Sequence, residues 1–537
     1  MRDSRRIRLW IALMSLSVLP IIARADSNSI FLINATNGPI DQYIGTGIRI
    51  GEIDVAPGVA DGTHAFLLNQ ILGTTNLTAG TAGGLDSHAT QVAGVMVSTD
   101  AVVRGVAPGA KVYSIELGGT LPNAAFFLAT QQNVRVINAS LGTDSVFTNA
   151  ADGSPLRRFN TLGTSVVERA LDRLVSQTGV SYVQASGNEG SRRSVAAGSE
   201  NGTNTVVQEA GAFNIIVVGS VNNATAGTAT NVTFSSSRGY LVDGRSAVSI
   251  VAPGGGIIMP TTPTGPNGDR VATNSGTSFA APHVAATIAR LIEAAASNQF
   301  PNAPASQAQD PRVIKAALLN SATKLPDWTQ GAVLNGSLTG GVTRVTQPLD
   351  KSQGAGLLNA NGAYLQLAAG RWAPRYVNDI DTGNLAALTG WDFANVKLSM
   401  TNVYQLTSQA AGTVSITLDW YRDVGATVAG TNSVNGLANL DLYLFSSGDA
   451  AFSVLTNLAM SVSSVDNLEH LYFTNLPAAY YEFGVNYANY NAAPGGTNLT
   501  LVTYGVAWSF TAVPEPSTLL LAALGMSVVW RLRRRRT

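Results

Sequence analysis

The segment from Gly276 to Ala285 constrains the fold of this chain more than any other, because it joins a glycine turn to an alanine-rich helix with a serine at the junction. The first N–H groups of a helix are unpaired and its dipole is positive there, so an oxyanion forming beside Ser278 would be stabilised. Pro282 is tolerated in the first helical turn, where a missing N–H costs little. Ser278 is therefore a candidate nucleophile, although serine is also a common N-cap.

Three other segments supply candidate partners for this serine. An alternating, β-prone run from Ile48 ends in the carboxylate of Asp54, and His88 opens a helix of small residues. A histidine in this role accepts the serine proton while an aspartate fixes its tautomer and stabilises the imidazolium. Asn188 ends an apolar strand, and its amide is a candidate donor to the oxyanion. Aspartate, histidine and serine in this chain order form one of the known orders of a catalytic triad.

From about Gly47 to Ala368 the chain resembles the subtilisin-like (subtilase) serine peptidases. The resemblance rests on the Asp54 strand, the His88 helix and the signature 276–283, together with blocks at 105–110, 136–142 and 249–254 that fall in the family's order. It implies an α/β fold with a mostly parallel sheet flanked by helices. The resemblance also implies that the chain is an exported serine endopeptidase acting on a protein or peptide substrate.

The resemblance further implies a role for each matched residue. Ser278 is the nucleophile, His88 the general base and Asp54 its orienting carboxylate. Asn188 and the backbone N–H of Ser278 form the oxyanion hole. No catalytic metal is expected. The residues expected to flank the pocket for the side chain before the scissile bond are Ser140, Leu141, Gly142, Ala185, Ser186 and Gly187.

Three departures from the family pattern bear on activity. Asp54 is followed by the residues 55–58, VAPG, where the family usually has a small hydroxyl residue and glycine, and Ala89 replaces the glycine that usually follows the histidine. Glu52 interrupts an apolar strand; if buried it needs a partner, and near Asp54 it would raise carboxylate pKa values. These departures motivate the alternative that the chain is a non-catalytic surface or matrix-binding protein that retains the subtilase fold.

Composition limits the classes of partner. The chain has 537 residues, 45% of them hydrophobic, which suggests two or more domains with a sizeable core. Its 33 basic and 33 acidic residues balance, but ten arginines and one aspartate lie in residues 1–25 and 531–537. The remainder holds 33 − 10 = 23 basic and 33 − 1 = 32 acidic residues, a net charge of −9, which argues against a nucleic-acid partner. The absence of cysteine excludes disulfides and thiolate metal sites.

Residues 1–25 have the layout of a secretory signal peptide. Four arginines precede an apolar run from Leu9 to Ile22, and Ala23-Arg24-Ala25 gives a small-x-small cleavage pattern. The alternative, an N-terminal anchor helix, is less favoured because the run is short for a membrane span. The pair Arg5-Arg6 leaves the twin-arginine route as a second alternative to ordinary secretion.

Residues 513–537 have the layout of a second targeting signal. The motif 513–517, VPEPS, leads into an apolar run to Trp530 and then an arginine cluster, a layout that resembles the PEP-CTERM sorting signal of certain Gram-negative bacteria. The resemblance implies recognition and cleavage by an exosortase-type enzyme after transient membrane contact, with the arginines in the cytoplasm. The alternative is a permanent transmembrane anchor. The sequence thus predicts an exported protein of the cell envelope or exterior.

The sequence predicts a peptidase domain over 26–372 and a β-sandwich accessory domain over 377–512. Period-two patterning with aromatic residues indicates antiparallel strands in the second region.

Asp441 is a candidate ligand for structural calcium, the alternative being a carboxylate solvated on a strand face. Residues 325–350 are expected to be a loop lining the cleft, and His64, His283 and His470 are expected to be structural. Three strands of the predicted sandwich each have one face that is expected to point inward: Val414, Ile416, Leu418 and Trp420; Tyr481, Phe483, Val485 and Tyr487; and Tyr504, Val506, Trp508 and Phe510.

Overall fold

The fold is that of a computed structural model, which describes residues 27–512 apart from a set of short segments. The predicted signal peptide over 1–25 and the predicted sorting tail over 513–537 lie outside the described residues. Among the described residues, no helix combines the length and the apolarity needed to cross a membrane. The segments left out are 37, 56–57, 79, 81–82, 144–146, 150–154, 158–162, 192–203, 224–230, 264–267, 298–299, 332, 336–341, 376–384, 426–432 and 493–498.

Helices and strands alternate in the first part of the chain, and strands dominate the second. The helices are α1 (Ser27–Leu32), α2 (Ser87–Val97), α3 (Leu121–Gln131), α4 (Val166–Thr178), α5 (Thr277–Ala296), α6 (Ala305–Ala308), α7 (Pro311–Asn320) and α8 (Ala360–Ala368). The strands are β1 (Arg49–Val55), β2 (Ile71–Asn76), β3 (Lys111–Leu117), β4 (Val136–Ala139), β5 (Phe147–Asn149), β6 (Pro155–Arg157), β7 (Ser181–Ala185), β8 (Ile216–Asn222), β9 (Ile250–Gly255), β10 (Ile257–Pro260), β11 (Val271–Asn274), β12 (Val333–Asn335), β13 (Thr343–Val345), β14 (Thr389–Lys397), β15 (Thr401–Ser408), β16 (Gly412–Trp420), β17 (Asp423–Gly425), β18 (Ser433–Ser447), β19 (Leu455–Ser461), β20 (Leu468–Leu476), β21 (Ala479–Ala492) and β22 (Leu501–Ala512).

A parallel sheet of seven strands in the order β2-β3-β1-β4-β7-β8-β9 forms the centre of the first domain. Its inner strands β4 and β7 are fully buried, as expected when helices cover both faces of a parallel sheet. Helix α5 packs across β4, β7, β8 and β9, and α2 packs against α5. Small alanine side chains keep α5 close to the sheet, and nearly all of its residues are buried. The predicted parallel α/β fold is confirmed.

The second domain consists of two sheets that are antiparallel apart from one parallel pair, β13 with β19. One has the order β14-β22-β16-β20, and the other has β12-β13-β19-β18-β21-β15 with β17 paired to β18. All the predicted inward residues of β16, β21 and β22 are buried in one aromatic core between the sheets. Alternation with aromatic side chains therefore identified the sandwich correctly.

The outer face of the β14-β22-β16-β20 sheet is covered as well, which the alternation did not predict. Helix α7 of the first domain packs against β16 and β22. The polar residues Ser415, Thr417 and Asp419 on that face of β16 are buried. The Ser415 hydroxyl donates a hydrogen bond to Asn320 Oδ1 over 2.8 Å, and Lys315 Nζ lies 2.8 Å from Asp419 Oδ1. The two domains thus share a polar, buried interface.

The segment 325–350 is not simply the loop that its composition suggested. Val333–Asn335 and Thr343–Val345 form an antiparallel hairpin, and its second strand pairs in parallel with Leu455–Ser461 of the sandwich. The expectation of a loop was wrong for these two strands because strand pairing to a distant sheet edge leaves little trace in local composition.

Candidate active site

Asp54 and His88 are brought together by β1 and α2. Asp54 lies at the carboxyl end of β1, in the middle of the sheet, and is completely buried. Its Oδ2 lies 2.7 Å from Nδ1 of His88, and its Oδ1 accepts a hydrogen bond from the Val55 N–H over 2.7 Å. Because Nδ1 donates to the carboxylate, Nε2 of neutral His88 is left as the proton acceptor.

The start of α2 holds the histidine backbone. Asp86 is the N-cap, and its Oδ1 accepts hydrogen bonds from the N–H groups of His88 over 2.7 Å and Ala89 over 3.0 Å. Ala89 is buried inside the helix, where alanine is the best helix former, so the departure from glycine is accommodated without strain. Burial works to lower the pKa of His88, but the hydrogen bond to Asp54 and the charges of Asp54 and Asp86 outweigh it and raise that pKa above 6.5.

Ser278 lies in the first turn of α5, next to the histidine. The His88 and Phe279 rings have centroids 5.5 Å apart, which places the histidine beside the residue that follows the serine. The Ser278 hydroxyl donates to the Ser140 carbonyl over 3.1 Å, and the Ser140 hydroxyl donates back to the Ser278 carbonyl over 2.7 Å. Over the part of the chain that the structure describes, no hydrogen bond joins Ser278 Oγ to His88. Catalytic hydrogen bonds are often long in unliganded sites and form with substrate.

Asn188 lies against the turn that presents the serine. Its Oδ1 accepts hydrogen bonds from the N–H of Thr277 over 2.9 Å and from the Thr277 hydroxyl over 3.2 Å. These bonds fix the carboxamide through its oxygen and leave the Nδ2 donors available on an exposed side chain. The Gly187 N–H also donates to the Thr277 hydroxyl, over 3.1 Å, which ties the end of β7 to the start of α5.

The two predicted substrate-binding segments lie next to each other, and Ser140 of the first is hydrogen-bonded to Ser278. Residues 140–142 follow β4 and residues 185–187 end and follow β7, and these strands are neighbours in the parallel sheet. The Gln184 side-chain amide donates to the Leu141 carbonyl and so links the two segments. Gly187 adopts a φ of 105°, which favours glycine. Val207, which the sequence analysis did not single out, is buried between the segments.

Glu52 is the buried carboxyl that the sequence marked as unusual. It is completely buried on β1, opposite Ser114 of β3. Burial raises the pKa of Glu52 well above its usual value of 4.5, and the negative charges of Asp54 and Asp86 raise it further, against a smaller lowering by Ser114. This raised pKa favours the neutral, protonated form of Glu52, in which the side chain adds no charge beside Asp54.

We expect the unfolding free energy of Glu52→Gln, taken relative to that of the parent, to rise between pH 4.5 and pH 8. The folded pKa of Glu52 is raised, so the parent binds more protons when folded, and its unfolding free energy falls as the pH rises from 4.5 towards that pKa. Glutamine resembles the protonated acid but does not titrate, so the variant should not show this decrease in unfolding free energy. Urea unfolding at pH 4.5 and pH 8 should show a relative gain of about 1–3 kcal/mol at the higher pH.

The matched control is Asp327→Asn, which changes an exposed carboxylate. Its unfolding free energy should stay within about 0.5 kcal/mol of the parent at both pH values. A Glu52→Gln protein that is equally destabilised at pH 4.5 and pH 8 would mean that Glu52 is ionised in the folded state.

The other histidines have structural partners. His64 Nε2 lies 2.8 Å from the Arg270 carbonyl oxygen, and His283 Nδ1 lies 2.8 Å from the Phe279 carbonyl oxygen. Burial lowers the pKa of His283 to about 4. His470 is buried between Thr417 and Lys324 at the domain interface. None of the three approaches Ser278 through a described contact, in agreement with the sequence analysis.

Two groups bear on metal binding. Asp54, Asp86 and His88 are, among the described residues, the three side chains that lie close enough together to hold one ion, and they are already engaged in hydrogen bonds. Asp441, the candidate calcium ligand, accepts a hydrogen bond from the Tyr443 hydroxyl over 3.1 Å within its own strand. Structural calcium at Asp441 stays a prediction.

A parallel α/β sheet that carries an aspartate, a histidine bonded to it and a serine in the first turn of a buried helix defines the serine hydrolase class. Comparison with known families identifies the branch: residues 53–356 match the family described as "Subtilase family", and residues 512–536 match the "PEP-CTERM protein-sorting motif". The chain therefore belongs to the subtilase family, as the sequence motifs indicated.

Known relatives are similar over the same region. Pyrolysin of Pyrococcus furiosus is 27% identical over 292 residues, which cover 51% of this chain and 18% of pyrolysin. Tripeptidyl-peptidase 2 of Arabidopsis thaliana is 27% identical over 46% of this chain and 17% of its own length. Alkaline elastase YaB of a Bacillus species is 29% identical over 312 residues, 56% of this chain and 66% of the elastase. This chain thus spans less than a fifth of the first two relatives.

Proposed function

We propose that this protein is an exported serine endopeptidase that hydrolyses peptide bonds through an acyl-enzyme on Ser278. The observation that carries the proposal is the 2.7 Å bond between buried Asp54 and Nδ1 of His88, with the histidine ring beside Phe279 at the start of α5. The bond orients an imidazole whose free nitrogen can serve as a base, next to a serine at a helix N-terminus.

Acylation begins when substrate binds beside Ser278. The serine hydroxyl rotates from the Ser140 carbonyl to His88, and its proton passes to Nε2 as Oγ bonds to the substrate carbonyl carbon. The oxyanion is stabilised by Asn188 Nδ2 and the Ser278 N–H. The C–N bond then breaks, and the proton on His88 passes to the leaving amine.

Deacylation repeats the sequence with water as the nucleophile. His88 takes a proton from water as its oxygen bonds to the acyl carbon, and then returns the proton to Ser278 Oγ as the ester bond breaks. Asp54 stays ionised throughout and stabilises the imidazolium that forms twice per turnover. The products are a carboxylic acid, an amine and the regenerated serine.

The test is covalent labelling with a fluorophosphonate. The parent should form one adduct on Ser278, because an activated serine displaces fluoride from phosphorus and the phosphonate then mimics the tetrahedral intermediate. Peptide mapping by mass spectrometry locates the adduct. A folded parent that forms no adduct would instead support the non-catalytic surface or matrix-binding protein.

We further infer that the chain is exported and sorted at its C-terminus. The signal-like layout of residues 1–25 and the match to the sorting motif support this inference. Its partner would be an exosortase-type enzyme, and its location the cell envelope or exterior of a Gram-negative bacterium. Expression in a host with an exosortase should yield an envelope form that lacks residues 1–25 and the arginine cluster at 531–536, as measured by N-terminal sequencing and intact mass. Recovery of the full chain in the cytoplasm would contradict it.

A further inference from the structure

A cavity of about 600 Å³ lies where the two domains meet, on the side of the sandwich that faces α7 and α8. One wall is the outer face of the β14-β22-β16-β20 sheet, and the other is formed by α8, the end of α7 and the residues that follow it to Lys324. Pockets of roughly 300–1,000 Å³ at domain interfaces are typical of ligand sites. Asp54, His88 and Ser278 do not line this cavity, so it lies outside the candidate active site.

Hydroxyl groups dominate the sheet wall of the cavity. They lie in two rows across the strands: Thr389, Ser509, Ser415 and Tyr472 from β14 to β20, and Thr511 and Thr413 on β22 and β16. Side chains alternate between the two faces of a strand, and the intervening Phe510 and Val414 lie in the aromatic core of the sandwich. The two rows therefore point away from that core and towards the cavity, which all six residues line.

Part of this hydroxyl surface is engaged by the protein, and part of it is available to a ligand. The Ser415 hydroxyl donates to Asn320 Oδ1 over 2.8 Å. In the part of the chain that the structure describes, no hydrogen bond engages the hydroxyls of Thr389, Thr413 and Thr511. Each of these hydroxyls can donate one hydrogen bond and accept two. The wall thus offers a ligand several donors and acceptors at fixed spacing.

The lining of the cavity carries little charge. None of the described residues that line it is a carboxylate, and Lys324 is the one cationic residue among them. Its Nζ donates to the Ala355 carbonyl over 2.5 Å and lies 3.0 Å from Nε2 of His470, so the protein already engages this amine. Burial lowers the pKa of Lys324 to about 7, which weakens its charge further at neutral pH. The lining therefore favours a ligand that is polar but uncharged.

We propose that this cavity binds a neutral saccharide of one or two sugar rings. Sugar hydroxyls both donate and accept hydrogen bonds, as those of the wall do, and they would replace the waters that hydrate the wall. The apolar C–H face of a sugar ring would pack against Leu365 of α8, which lines the cavity and is 48% exposed. An acidic saccharide finds no uncommitted cation here, and a peptide carries few hydroxyls. The proposal goes beyond the peptidase function and does not depend on it.

The experiment uses the full chain carrying Ser278→Ala, which prevents self-cleavage. It is screened on an array of neutral and acidic oligosaccharides, and the neutral disaccharides that bind, together with tetraglycine amide, are then titrated by calorimetry. At least one neutral disaccharide should bind saturably at one site per chain. Adding Thr413→Val/Thr511→Val removes two hydroxyls and keeps the side-chain shape, so it should raise the Kd by about tenfold, since two hydrogen bonds to the ligand are lost.

The matched control is Thr456→Val, which makes the same change at an exposed threonine of β19, in the other sheet, and should leave the Kd unchanged. The proposal is overturned if no neutral saccharide binds, if an acidic saccharide or tetraglycine amide binds more tightly, or if Thr456→Val weakens binding as much as the double change. If the double variant does not fold, as judged by circular dichroism, Thr511→Val alone decides, because Thr511 is exposed near the end of β22.

Discussion

Ser278→Ala should lower kcat for peptide hydrolysis by about 10⁶-fold, since the nucleophile and its base act as a unit in serine peptidases. Alanine fits the first turn of α5, which already contains Ala280 and Ala281, so the fold should be kept. The measurement is single-substrate kinetics on highly purified protein, with circular dichroism to verify folding. The same variant should form no fluorophosphonate adduct.

Ser275→Ala is the matched control for this experiment. Ser275 lies three residues before Ser278, is exposed, and accepts a hydrogen bond from the Gly256 N–H over 2.8 Å. Loss of the Ser275 hydroxyl should change kcat by less than about tenfold, because this hydroxyl touches no reacting atom. If the two alanine variants lose the same small amount of activity, another residue is the nucleophile.

Lys315→Met should destabilise the folded protein by about 3–5 kcal/mol, because it leaves the buried Asp419 carboxylate without its ion-pair partner. Lys315 on α7 and Asp419 on β16 form a 2.8 Å ion pair across the domain interface, with side chains 6% and 2% exposed. Burial raises the pKa of Asp419 to about 6, although Lys315 lowers it, so at pH 7 the carboxylate is ionised in the parent. The measurement is urea unfolding at pH 7.

The double variant Lys315→Met/Asp419→Leu should recover most of this loss, since an apolar pair of similar volume often matches a buried ion pair. The loss in Lys315→Met should also shrink towards pH 5, where Asp419 takes up a proton and no unpaired charge stays buried. Lys397→Met, at an exposed position of β14, is the control and should lie within about 0.5 kcal/mol of the parent. If Lys315→Met lowers the unfolding free energy no more than Lys397→Met does, the Lys315–Asp419 ion pair does not stabilise the interface.

The sequence could place the three side chains proposed to be catalytic because each one lies at the end of a regular element. Asp54 ends an apolar strand and His88 and Ser278 begin helices of small residues, so their spatial neighbourhood follows from the edge of a parallel sheet. The fold class and the inward faces of the sandwich followed from period-two and helical patterning in the same way.

What the sequence could not predict depends on pairings between distant segments. The Ser278 hydroxyl bonds to Ser140, which is 138 residues away, and nothing local in either segment specifies that contact. Strand β13 pairs with β19, whose residues come more than a hundred positions later in the chain. Val207 is one apolar residue among many in the sequence, and only its contacts with Gly142 and Gly187 distinguish it.

The place of β22 in its sheet has a mechanical consequence. This strand pairs along its length with β14 on one side and β16 on the other, and it ends at Ala512, where the sorting motif begins. The ladder hydrogen bonds run across the axis of β22, so a load applied along that axis from Ala512 would act on them together in shear instead of opening them one at a time. A chain held through this end would therefore resist having its last strand peeled from the sheet.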